Sequence, residues 1–73
     1  MNVHSMCELG NSKLAVACYE NIFVWDLLGQ ELLVKIQNGE ESIKKVMPFL
    51  IQEHSLLISI DAYGLLSIWD GSI

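Results

Sequence analysis

Apolar residues along the chain fall in short runs, each broken by residues that favour turns. The breaks are Gly10-Asn11-Ser12, Glu20-Asn21, Leu28-Gly29-Gln30, Asn38-Gly39, Gln52-Glu53-His54 and Ala62-Tyr63-Gly64. Turn signals at this rhythm mark consecutive short antiparallel strands. The runs between them predict seven strands, over 2–8, 13–18, 22–26, 31–37, 43–51, 55–61 and 65–70.

Individual runs carry further information. Ile22-Phe23-Val24-Trp25 is apolar at every position, which predicts a strand covered on both faces. Leu32, Val34 and Ile36 alternate with Lys35 and Gln37, the pattern of a strand half exposed to water. Over 40–50 a helix competes, because Glu40 and Glu41 stand four residues before Lys44 and Lys45 and could pair with them along a helix face. Pro48 and the β-branched Ile43 and Val46 favour the strand, and the proline assigns that strand to a sheet edge.

A repeat organises these runs. Val24-Trp25-Asp26 returns as Ile68-Trp69-Asp70, 44 residues on, and Tyr19 returns as Tyr63 at the same offset. Both tryptophans of the chain lie in this one motif. A period of about 40 to 45 residues belongs to propeller blades of four strands each. On these residues the chain resembles WD-repeat β-propeller blades: 59–70 resembles the turn and third strand of a blade, and 13–26 is a weaker copy. The resemblance implies an all-β fold of antiparallel four-stranded blades. One blade is complete (2–37, within a unit of about 1–38), and a second lacks its last strand (43–70, within 39–73).

The chain departs from the family pattern in two places. Gly39 is followed by Glu40 where many blades have histidine, and Tyr19 and Tyr63 stand six residues before the tryptophans where many have aspartate. The family's buried hydrogen-bonded network is therefore expected to be incomplete in both repeats. Ala17 to Phe23, Met47-Pro48-Phe49, and Ser59-Ile60-Asp61 with Gly64 are similar to the N-terminal propeller of a tandem-propeller subunit of the ribosomal small-subunit processome. That similarity implies ribosome biogenesis and rRNA processing in the nucleolus; without it, a cytoplasmic protein is expected.

Size and composition narrow the role. Apolar residues make up 52% of the 73 and charged residues 18%, which excludes intrinsic disorder. For a chain of this length the hydrophobic gain of folding and the entropy of ordering nearly cancel. Two cysteines cannot add the staples of small secreted domains. Neighbours are therefore expected: the remaining blades of the same propeller, and other protein subunits of a multiprotein assembly. Nine acids against four lysines, with no arginine, leave a net charge of −5, which opposes direct binding to a phosphate backbone. The longest apolar runs, such as 14–19, fall far short of the ~20 residues of a membrane-spanning helix. Residues 1–10 have neither the basic nor the apolar region of a secretory leader, so the thiols are expected in a reducing compartment.

Candidate chemistry is sparse. Trp25 and Trp69 are expected to pack between blades, and Asp26 and Asp70 to serve turns in preference to acting as paired carboxylates. Gly64 is expected to supply a positive φ, a role Asn21 could share in the first repeat. Phe23, Phe49 and Cys18 are expected in the core. A zinc reading of His4, Cys7, Cys18 and His54 fails on spacing, since one His-x-x-Cys pair lacks the paired short loops of structural sites. No third group orients a catalytic Cys-His pair. Neither cofactor, metal nor catalytic residue is expected. Glu40, Glu41, Lys44 and Lys45 are the one dense charge cluster, a candidate partner-binding rim whose simpler account is a solvated loop. The sequence thus points to a non-catalytic protein–protein interaction scaffold. A short independent β-protein that self-associates is the alternative.

Overall fold

The computed structural model describes residues 2–71. They form seven strands and no helix: β1 (Ser5–Gly10), β2 (Lys13–Cys18), β3 (Asn21–Asp26), β4 (Glu31–Gln37), β5 (Ile43–Ile51), β6 (His54–Asp61) and β7 (Leu66–Asp70). The strands make two antiparallel sheets in sequence order, β1-β2-β3-β4 and β5-β6-β7. Local chemistry explains the hairpins. Asn11 and Ser12 turn β1 into β2 with φ of 50° and 60°, and Gln52 and Glu53 turn β5 into β6 with φ of 47° and 68°. Positive φ at both central residues gives the twist that matches flanking strands.

The segment that could have been a helix is β5, and it lies at a sheet edge. That is where Pro48, which pairs with Leu57 on one side only, leaves no second ladder short of a donor.

One face of the first sheet stacks on one face of the second. Paired rows run Cys7–Ala15–Val24–Val34 and Ser5–Ala17–Ile22–Ile36 across the first sheet. Ala15, Ala17, Ile22 and Val24 in these rows are fully buried against Ile43, Val46 and Leu57 of the second sheet. β5 lies against β1 and β2, and the Ser5 hydroxyl accepts the Val46 N–H at 3.2 Å across the junction. The slab is 15 Å in its thin dimension, as two sheets about 10 Å apart require.

Three expectations change. The run 22–25 is covered on one face only: Ile22 and Val24 are buried, while Phe23 and Trp25 are half-buried on the side away from the second sheet. In β4, Val24 pairs with Val34 and Trp25 with Leu32, leaving Leu33 as the extra residue of a bulge. The bulge moves Leu32 onto the Trp25 face, so Leu32 does not share the face of Val34 and Ile36. Phe49, expected in the core, is exposed, because its place in the β5 register sets it beside Leu56 on the outward face.

The stacking predicts where stability resides. Leu57→Ala, at a fully buried position, is expected to cost about 2–5 kcal/mol. Leu50→Ala, at a position 72% exposed, is expected to change stability by no more than ~0.5 kcal/mol. Urea unfolding of the two variants beside the parent chain checks the contrast.

Candidate functional site

The two repeats align in register through their tryptophans, since Leu14 pairs with Trp25 as Leu57 pairs with Trp69. Their turns differ. Cys18 and Asn21 close the first over Tyr19 and Glu20, while Asp61, whose N–H donates to the Leu65 carbonyl at 3.1 Å, closes the second over Ala62, Tyr63 and Gly64. β6 is thus offset from β2 by one residue less than β7 is from β3. Tyr19 and Tyr63 coincide in sequence but not in structure. Gly64 has φ of 82°, as expected, but in the first repeat the positive φ falls on Tyr19 (53°) and not on Asn21. A two-residue turn places its left-handed residue one step after the strand, before Asn21 is reached.

The second repeat contains polar bonds that the motif pattern did not reveal. Trp69 Nε1 donates to the Ser59 hydroxyl at 3.0 Å, with Ser59 buried. The buried Asp61 carboxylate accepts the N–H groups of Tyr63 and Leu65, each at 2.9 Å, and so fastens its own turn. In the first repeat Val16 and Cys18 stand where Ser59 and Asp61 stand, so Trp25 has no equivalent hydroxyl. A serine and an aspartate at alternate positions of an otherwise apolar strand were the signal available in the sequence. Trp69 packs against the core between the sheets; Trp25 does not, being on the outward face.

At the β2–β3 end, the first sheet is stitched to the second. The Ile43 N–H donates to the Tyr19 carbonyl at 2.6 Å. His4 Nδ1 lies 3.2 Å from the Ile43 carbonyl and 3.4 Å from the Ser42 hydroxyl, and its ring meets Tyr19 edge-on at 5.2 Å. Asn2 Nδ2 donates to the Tyr19 hydroxyl at 2.9 Å. Tyr63, by contrast, is 82% exposed. Glu40 lies in the exposed turn before β5, Glu41 is half-buried, and Lys44 and Lys45 are exposed on β5 itself.

The opposite end opens into a cleft of about 550 Å³, lined by Asn11, Lys13, Glu53, His54 and Asp70 among others. Asp26 lies at the end of β3, where its Oδ1 accepts the Leu28 N–H at 3.2 Å.

The candidate zinc residues are scattered. His4 and Cys18 lie at the stitched end, where the Cys18 thiol donates to the Asn2 carbonyl at 3.1 Å. Cys7 faces the core, and His54 lines the cleft. Among the described residues, no three His, Cys, Asp or Glu side chains gather as a metal site. Burial raises the Cys7 thiol above its ordinary pKa, the opposite of what a nucleophilic cysteine needs. No helix among the described residues is long and apolar enough to cross a membrane.

What remains is a pair of uncovered apolar faces. On the side opposite the stacked rows the first sheet carries Met6, Leu14, Phe23 and Trp25, with Val16 buried between Met6 and Phe23 and the charged Glu8 and Lys35 beside Leu14 and Phe23. The second turns out Met47, Phe49, Ile58, Ile60, Leu66 and Ile68. The accessible surface of 4780 Å² is close to the roughly 4,500 Å² of a monomer of this mass. The apolar exposure therefore comes from where these side chains point, not from an open chain. Surfaces of this kind mark interaction sites. No family model, curated protein or solved structure matches the chain.

Two outcomes test this geometry. In a double-mutant cycle, Trp69→Phe and Ser59→Ala are expected to couple by about 0.5–1.5 kcal/mol, whereas Trp25→Phe and Ser59→Ala are expected to be additive. Alkylation of Cys7 in the Cys18→Ala chain, followed from pH 7 to 10, is expected to be slower than that of a free thiol and to rise at a higher pH than a free thiol's. A rate matching that of a free thiol throughout would contradict the buried placement.

Proposed function

We propose that the chain is a segment of a larger WD-repeat propeller and serves as a non-catalytic protein–protein interaction scaffold. The observation that carries this reading is the recurrence of the Trp-Asp strand in two antiparallel sheets that stack face to face. Stacked repeats bury a continuous core only when each has neighbours on both sides, and both outward faces here are apolar. The Trp69–Ser59 bond supports the comparison, since it supplies in the second repeat part of the buried polar network that propeller blades use. By that reading the three strands of the second sheet are a blade short of its last strand, and the sheets completing the ring lie outside these residues.

The narrower resemblance assigns the scaffold to the ribosomal small-subunit processome, with a role in rRNA processing in the nucleolus and contact through protein partners. A net charge of −5 supports protein contacts over direct contact with RNA. A second reading is an independent β-protein that completes itself by association. The outer edge of β7, which pairs with no strand among the described residues in a sheet one strand smaller than its fellow, favours it, because such edges invite pairing.

Gradient sedimentation of source-cell extract tests the role. The protein is expected to travel with particles containing unprocessed rRNA precursor, and its depletion to accumulate that precursor. Sedimentation apart from such particles, with processing unchanged on depletion, would remove the processome role.

A further inference from the structure

The two uncovered faces are related to the two covered ones by the repeat itself. Aligned on the tryptophan pairs, Ala15, Ala17, Ile22 and Val24 of the first sheet correspond to Ile58, Ile60, Leu66 and Ile68 of the second. The former four are buried in the junction between the sheets; the latter four point outward. Conversely, Leu57, Ser59 and Trp69, which face into the junction, correspond to Leu14, Val16 and Trp25, which point away from it. The first strands follow the same rule: Cys7 packs on the core while its counterpart Met47 faces out, and Val46 is buried while its counterpart Met6 is exposed. The chain therefore contains one complete front-to-back junction, with an unused front on the second sheet and an unused back on the first.

We infer that the outward face of the second sheet takes the outward face of the first sheet of a second copy of this chain, head to tail. This deepens the second reading above, a β-protein that completes itself by association, by naming the two faces that meet; it rests on that reading and on the register and burial of the strands, and stands or falls apart from the rRNA role. The internal junction is the template for the contact: apolar front on apolar back, with Trp25 of one copy taking the place that Trp69 takes inside the chain. The pairing sets Met47, Ile58, Ile60 and Ile68 against Met6, Leu14, Val16 and Phe23, and the charges sharing these faces are of both signs on each sheet: Glu8 beside Leu14 and Lys35 beside Phe23 on the first, Lys45 beside Ile60 and Asp70 beside Leu56 on the second. Because the two surfaces differ, the contact is heterologous: every copy uses both faces, and assembly continues until a ring closes.

Complementation between two variants tests this. Met6→Glu spoils only the back of the first sheet, and Ile68→Glu only the front of the second; both positions are more than half exposed in the chain, so the fold tolerates either. The parent chain is expected to form a closed oligomer in sedimentation equilibrium. Each variant alone is expected to be a monomer, with the concentration needed for assembly raised at least roughly 100-fold by burial of an unpaired charge. An equimolar mixture is expected to yield a 1:1 dimer, since one intact front then meets one intact back. The milder pair Met6→Ser and Ile68→Ser gives the same readout should a charge unsettle the sheet, with circular dichroism recording the fold. A monomeric parent chain, a single variant that still assembles, or a mixture without the 1:1 dimer would each overturn the inference. The second of these results would indicate a symmetric contact of one face with itself.

Discussion

Stacking of the first sheet's Ala15, Ala17, Ile22 and Val24 on Ile43, Val46 and Leu57 of the second is the constraint on which the rest of the molecule depends. Neither sheet encloses a core alone. Small side chains at 15 and 17 let β2 approach β5 closely, and the Ser5–Val46 hydrogen bond fixes the height of one sheet against the other. The stitched rim follows from that approach: Ile43 reaches the Tyr19 carbonyl, and His4 reaches Ile43, only because β5 starts beside the β2–β3 turn. Since stacking uses one face of each sheet, it also determines which faces stay bare.

Much of this was legible in the sequence. Turn formers at 10–12, 38–39 and 52–54 delimit strands because their residues tolerate the backbone that turns need, and Pro48 marks β5 as an edge. Less legible was anything decided by register. Leu32 and Leu33 are both apolar, so nothing in the sequence says which becomes the bulge residue and which keeps its face. The coincidence of Tyr19 with Tyr63 concealed a one-residue difference in turn length. It also hid the correspondence of Ser59 with Val16 and of Asp61 with Cys18, and with it the hydrogen bonds of the second repeat.

The apolar run 22–25 shows how the two kinds of information combine. Its sequence requires cover on both faces, and the chain supplies cover on one. Phe49, Leu66 and Ile68 repeat the lesson at the other end, apolar and exposed. Residues selected for burial but left in water mark where a neighbour belongs, and they carry the functional reading further than any ionisable group here. The histidines and thiols, by comparison, are dispersed among structural contacts.

Residue-resolved hydrogen exchange of the chain tests the central claim, that one stacked junction holds both sheets. β2 and β3 are the inner strands of the first sheet and β6 that of the second, so amides of β2 and β6 report the opening of the sheets themselves. The account predicts that amides of Ala15, Ala17, Leu57 and Ser59 share one opening free energy and respond together to Leu57→Ala. Strong protection of β2 with independent, markedly faster exchange of β6 would show two sheets folding separately and would contradict it.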